Sequence, residues 1–157
     1  MLKDLLGGIW QHLPNGLRRW GMRRINTQFT VTAAGVICND EGHVLLLKHF
    51  FRDGSGWGLP GGFIEAGEQP QDALRRELLE EIGLEVSHAE LFETRAFRRA
   101  RQIEIVFRCH ATGQASPQSM EVDRAAWFPP TSLPEGLPDD QRQLIKRAIM
   151  NGVNRQD

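Results

Sequence analysis

Between Gly62 and Leu84 the chain is punctuated in a way that leaves it little conformational choice. Pro70 suits the first turn of a helix, where its missing N–H would have no partner anyway, and Gly83 supplies a left-handed stop. The spacing therefore predicts a helix over Pro70–Ile82. Within it Leu74, Leu78 and Ile82 recur every fourth residue, an apolar stripe able to pack on a sheet. Glu77, Glu80 and Glu81 fall at i, i+3 and i+4 and so share a neighbouring face. Like charges in that arrangement repel by roughly 0.2–0.5 kcal/mol per pair, which Arg75 and Arg76 offset in part. A cluster of hard oxygen ligands is what Mg²⁺ or Mn²⁺ requires, and such an ion neutralises charge on phosphate oxygens. The adjoining Gly61-Gly62 turn can bring backbone atoms close to metal and phosphate. Glutamate-rich helices are more often plain solvated faces, so the three carboxylates by themselves leave both readings open.

Around this helix the pattern is that of strands. Phe29–Cys38 reads as a strand, residues 39–42 as a turn, and His43–Lys48 as the hairpin partner. Trp57-Gly58-Leu59 forms a short segment between the flexible Gly54–Gly56 loop and Pro60-Gly61-Gly62. Two further strands are expected near Glu85–Phe97 and Gln102–Ala111, the second with Ile103, Ile105, Phe107 and Cys109 alternating inward. A polar loop over Gly113–Ser119 leads to Ala125-Ala126-Trp127-Phe128, where Trp127, like Trp57, is read as core. A last helix near Asp139–Met150 carries Leu144, Ile145, Ala148 and Ile149 on its apolar face. Strands mixed with helices of this kind predict an α/β domain with helices on both faces of the sheet.

At 157 residues the chain suits one domain with a short appendage, and its net charge of −1 supplies no bulk field that would drive it onto nucleic acid or membrane. Cys38 and Cys109 are expected as reduced core cysteines. The histidines His43, His49, His88 and His110 lack metal-ligand spacing and are read as strand or surface residues. No apolar run is long enough to span a bilayer, and the N-terminus lacks the order of a signal peptide, so a cytoplasmic location is expected. Residues 1–26 stand apart as a basic, amphipathic helical extension, broken at Pro14-Asn15-Gly16 and carrying Trp10 and Trp20. It is expected to pack on the domain or on a second copy in a homodimer. Contact with an anionic membrane surface is the less favoured alternative.

The spacing of the acidic segment extends well beyond one helix. A glycine (Gly62), five residues, Glu68, seven residues, then Arg76-Glu77-Leu78-Leu79-Glu80-Glu81-Ile82-Gly83-Leu84 resembles the signature of the Nudix hydrolases at every fixed position. A chance match in a chain of this length is on the order of 10⁻⁷ from typical residue frequencies. The resemblance covers roughly residues 28–150 and includes Trp57–Gly62 ahead of the signature and Trp127-Phe128 after it. It implies an α/β/α sandwich around a mixed β-sheet and hydrolysis of a nucleoside diphosphate linked to another moiety, with Mg²⁺ or Mn²⁺ as cofactor. It further implies Glu77, Glu80 and Glu81 as metal ligands, the Gly61 carbonyl as a fourth, and a brace between Glu68 and Arg76 at the loop–helix junction.

In many members of the family the general base is a glutamate on a loop beyond the signature, and by that resemblance Glu121, ahead of Trp127, is the candidate, with Asp123 in reserve; a merely solvated loop acid, or Glu80 or Glu81 acting through the metal, is the alternative. For substrate contacts the candidates are Phe51, beside Phe50, as a stacking surface, and Arg52, Arg98 and Arg99 as phosphate grips; loop packing or a solvated charge is the alternative for each. Relatives specific for ADP-ribose often carry a proline about fifteen residues past the signature, and those acting on diadenosine polyphosphates a tyrosine nearby. Here Arg98-Arg99-Ala100 occupies that place and the chain has no tyrosine. A small nucleotide remains the expected substrate: a nucleoside diphosphate sugar or alcohol, or a (d)NTP. An RNA 5′-end pyrophosphohydrolase and a non-catalytic nucleotide-sensing module are the competing readings, and nucleic acid is not the favoured partner.

Overall fold

In a computed structural model the described residues are 14–17, 28–51, 54–86 and 88–153. Most of the N-terminal extension, with Trp10 and Trp20, lies outside them. Asn15 and Gly16, expected with Pro14 as a break, take helical backbone together with Leu17, in keeping with the tolerance of helix starts for a preceding proline.

Among the described residues seven strands and two longer helices follow in the order β1 (Thr30–Cys38), β2 (Val44–His49), β3 (Trp57–Gly58), β4 (Gly61–Phe63), α1 (Pro70–Ile82), β5 (His88–Phe97), β6 (Gln102–His110), β7 (Val122–Phe128) and α2 (Asp139–Val153). The expected hairpin of β1 and β2 is only a corner. Asn39 Oδ1 accepts from the backbone N–H groups of Glu41 and His43, at 3.1 and 2.8 Å, and tightens the turn. The strands then pair only at Cys38↔Val44. Further along β1 that edge is taken by β4, with Thr32↔Phe63 and Ala34↔Gly61 in antiparallel register. The other edge of β1 runs parallel to β6 for its whole length, Thr30↔Gln102 to Cys38↔His110, and β5 closes that side antiparallel to β6. Displaced from β1, β2 pairs antiparallel with β7 along one edge and with β3 along the other. The strand β7 had no counterpart in the sequence reading.

The sheet is mixed and covered on both faces. Leu45 and Leu47 of β2, Ile37 of β1 and Phe107 of β6 pack with Leu74, Leu78 and Ile82 of α1. Val44, Leu46, Val36 and Val106, their neighbours in sequence, pack on the other face with Leu144, Ile145 and Ala148 of α2. This α/β/α sandwich explains why Val44–Leu47 is an unbroken apolar run, since a strand buried on both faces has no polar side to show. It also extends the reading of β6: Ile105, Phe107 and Cys109 face the α1 cluster as expected, while Val106, between Ile105 and Phe107, is fully buried against α2.

The helix α1 occupies the span its punctuation dictates. Gly83 takes φ 65°, and the Gly83 and Leu84 N–H groups close onto Leu79 O and Leu78 O at 3.0 and 3.2 Å. Cys38 and Cys109 sit one position out of register on paired strands, with Cys109 in the cluster under α1 and Cys38 against the cluster under α2. Both are free thiols, and burial pushes the Cys109 thiol up to about 12. Among the described residues no helix is long and apolar enough to cross a membrane.

Because Leu78 is fully buried in the seam between α1 and the sheet, Leu78→Ala is expected to lower unfolding free energy by about 3 kcal/mol. Chemical denaturation of the two proteins measures it.

Candidate active site

The apolar stripe of α1 faces the sheet, which turns the adjoining acidic face along the helix flank toward β4 and the end of β2. There a cleft of about 590 Å³ is lined by Gly61, Gly62, Phe63, Arg76, Glu77, Glu80, Glu81, His49, Phe51 and Glu121. Three loci far apart in sequence therefore meet: the glycine turn with α1, the end of β2, and the segment before β7.

Arg76 organises the acidic side. Its Nε donates to Glu68 Oε1 at 2.9 Å and its Nη2 to Glu68 Oε2 at 3.1 Å, a two-point clasp. Nη1 donates to Glu77 Oε1 at 3.0 Å and to Glu80 Oε2 at 3.3 Å. Nη2 also reaches the Phe63 carbonyl at 3.0 Å, which ties α1 to β4. The backbone N–H of Glu65 donates to Glu68 Oε2 at 3.0 Å and fixes that carboxylate from the loop side. The Arg76 hydrogen bond, followed by that from Glu65, holds the Glu68 carboxyl below the usual glutamate range. The Glu68 hydrogen bond, ahead of the one to Glu77, raises the Arg76 guanidinium above its ordinary value.

Two glycines shape the floor. Gly61 has φ 142°, and a Cβ there would stand 2.1 Å from the Ala33 carbonyl oxygen, so only glycine lets β4 lie this close to β1. At Gly62 a Cβ would stand 2.2 Å from Glu77 Oε1, so the Glu77 carboxylate rests in the space a side chain would fill.

Glu81 is 7% exposed and the only buried carboxylate of α1. His49 Nδ1 lies 3.8 Å from Glu81 Oε1. The sequence reading placed His49 simply on a strand or at the surface. The signal was there: Leu45, Leu47 and His49 alternate onto the α1 face, and a register shift between Lys48 and His49 sets the ring's position at the strand end.

The other expected residues divide. Glu121 lines the cleft, whereas Asp123 is absent from the lining and sits 3.5 Å from Lys48 Nζ. Phe51 lines the rim. Arg98 and Arg99 lie in the turn joining β5 to β6 and are not among the lining residues. Arg52 lies outside the described residues. Phe63, which the sequence reading passed over, lines the cleft and is 63% exposed. As the side chains stand, no three His, Cys, Asp or Glu groups among the described residues are gathered closely enough to hold a metal ion, with Glu77 and Glu80 both turned to Arg76.

Two outcomes test this arrangement. The atoms a Gly62→Ala methyl would strike belong to the flexible end of Glu77, which can swing away. The variant is expected to melt within a few degrees of the parent with the Glu77 carboxylate displaced from the floor at residue 62, which thermal melts and a crystal structure of the variant check. The second concerns Glu68. A carboxyl held low in the folded state adds stability above its unfolded value, roughly 4.3, and that gain is lost as pH falls through the folded value. The difference in melting temperature between parent and Glu68→Gln should therefore be full at neutral pH and shrink progressively on acidification below about pH 4.

A family model described as NUDIX domain matches residues 28–148. A MutT-like protein of Streptomyces ambofaciens is 31% identical over 110 residues, covering 69% of this chain and 69% of that one. An 8-oxo-dGTP diphosphatase of Haemophilus influenzae is 34% identical over 122 residues, covering 74% of this chain and 89% of the relative. The crystal structure of a MutT NUDIX hydrolase from Burkholderia pseudomallei is similar with a TM-score of 0.68 at 27% identity, over 76% of this chain and 98% of that one. With its signature helix, its sandwich and these relatives, the chain belongs to the Nudix hydrolase family.

Proposed function

We propose that this Nudix hydrolase is a Mg²⁺- or Mn²⁺-dependent pyrophosphohydrolase of small nucleotides. It cleaves the diphosphate bond of a nucleoside diphosphate sugar or alcohol, or of a (d)NTP, and releases a nucleoside monophosphate. The observation that carries the reading is the convergence of Glu77, Glu80, Glu81 and Glu121 with Gly61 on one cleft.

The donor set fits a hard divalent cation: all-oxygen, anionic, and mounted on one helix flank, with a glycine floor that leaves room for the Glu77 carboxylate. Glu77, Glu80 and Glu81 would hold the ion once the Glu77 and Glu80 carboxylates turn from Arg76, with the Gly61 carbonyl as a further ligand. When bound, it supplies Lewis-acid stabilisation of the charge that builds on the phosphate oxygens. Arg76 is a positioning residue, because its donors bridge Glu68, Glu77, Glu80 and the Phe63 carbonyl. Glu121, on the segment before β7, takes the proton from the attacking water. The water oxygen bonds to phosphorus, the bridging P–O bond breaks, and the nucleoside monophosphate separates from the remaining phosphate moiety. Asp123 is the weaker candidate for that proton because of its ion pair with Lys48.

A small nucleotide suits this lining better than an RNA chain. Arg76 is the one cationic side chain among the described lining residues, and its donors are committed to carboxylates and a carbonyl. A track of lysines and arginines for a polymer backbone has no counterpart there. The Haemophilus influenzae relative's name, 8-oxo-dGTP diphosphatase, is in keeping with the (d)NTP arm of the reading.

Release of nucleoside monophosphate from a broad nucleotide panel, with Mg²⁺ or Mn²⁺ present, is the direct test. Glu80→Gln and Glu81→Gln are each expected to lower turnover by roughly 10²–10³-fold, the scale seen when a group that stabilises developing charge is removed. Thermal melts should stay close to the parent. Near-normal turnover in both variants would overturn the assignment.

A further inference from the structure

The sugar–phosphate end of a nucleotide has carboxylates to meet in this cleft; its base has two phenyl rings. Phe51 is 87% exposed and Phe63 is 63% exposed, and both line the cleft. Large aromatic rings left this open, Phe63 on β4 and Phe51 in the turn after β2, forgo burial, and an apolar surface at a cleft marks a contact for something else. Phe63 is also firmly mounted. Its backbone pairs with Thr32 in the β4–β1 ladder, and its carbonyl accepts from Arg76 Nη2 at 3.0 Å. It adjoins Gly62, against which the Glu77 carboxylate rests.

The chemistry absent from the same wall is equally informative. Among the described residues lining the cleft there is no Asn, Gln, Ser or Thr, and the chain contains no tyrosine. Those are the side chains that read the donor and acceptor edges of a base. Three of the four carboxylates present are engaged elsewhere, Glu77 and Glu80 with Arg76 and Glu81 beside His49, and the fourth, Glu121, is the one assigned above to the attacking water.

We propose that Phe63 and Phe51 form a stacking platform for the nucleobase, so that the cleft selects its substrate by the phosphate chain and accepts purine and pyrimidine nucleotides alike. This rests on the nucleotide reading above and narrows it to base-tolerant recognition. Stacking is tolerant because every base presents a π-face. A site built on apolar contact separates related ligands by roughly 10–200-fold, whereas one built on hydrogen bonds to the base separates them by about 10⁴–10⁵-fold.

Binding of non-hydrolysable α,β-methylene analogues of ATP, GTP, CTP, UTP and 8-oxo-dGTP, followed by calorimetry with Mg²⁺, separates this idea from the catalytic assignment because no turnover is needed. The full chain is expected to bind all five within about 100-fold of one another, purines more tightly. Phe63→Leu should weaken every analogue by about 10-fold, and Phe63→Trp, which keeps a ring, should restore or improve binding. A preference above about 10³-fold for any one base would overturn the proposal, as would unchanged affinities in both Phe63→Leu and Phe51→Leu, or failure of every analogue to bind. Loss with Phe63→Leu that Phe63→Trp does not rescue would also count against stacking. Should the analogues bind as expected while the parent triphosphates are not hydrolysed, the platform stands and the hydrolytic assignment falls.

Discussion

Everything in this cleft depends on Arg76 holding like charges together. Glu77, Glu80 and Glu81 are compelled by helix geometry to share a flank, and Glu121 is brought opposite by the chain's return through β7. Two such charges 4 Å apart near a protein surface interact at about 4 kcal/mol, so an uncompensated group would push the helix flank outward. One planar guanidinium answers much of this at once, because its fork presents several donors in fixed directions. It clasps Glu68 with two bonds, reaches Glu77 and Glu80, and caps the Phe63 carbonyl. A lysine, with a point charge on a flexible stem, could not span those acceptors together.

The sandwich gives that arrangement its rigidity. Leu74, Leu78 and Ile82 anchor α1 from beneath, and Gly61 allows β4 to lie against β1 closely enough for the next residue to meet Glu77. From the far end of α1, the N–H groups of Ser116 and Gln118 reach the Ile82 and Glu81 carbonyls at 3.1 and 2.7 Å. The loop before β7 is thereby fastened to the helix that carries the acids, and Glu121 follows from that loop. On the opposite face α2 closes the second core and is pinned to β5 by ion pairs of Arg147 with Glu93 and of Asp140 with Arg95.

The parts of this protein set by local rules were legible before any coordinates. The helix Pro70–Ile82 was one, because proline, glycine and the fourfold leucine spacing each act within a turn or two. The pairing of Glu68 with Arg76 was another, read from the family resemblance and found as a two-point clasp. The partners of β2 were not legible. The tight Asn39 turn suggested a hairpin, and nothing in Val44–His49 announces that β4 already holds the edge of β1. The strand β7 escaped notice because Val122–Phe128 mixes charged and apolar residues with weak alternation, and its strand state comes from pairing with β2.

The sequence alone determined which residues are acidic, which turn of helix carries them, and that the strands are covered on both faces, since spacing and composition act locally. Tertiary structure decided what meets them. His49 reaches Glu81 because β2 is displaced from β1 onto β7, Glu121 lines the cleft from the segment before β7 while Asp123, inside that strand, pairs with Lys48, and Phe63 lines the cleft while Arg98 and Arg99 do not. These are products of strand pairing between segments distant in the chain, and register at that range is fixed by the packing of the whole core rather than by any short pattern of residues.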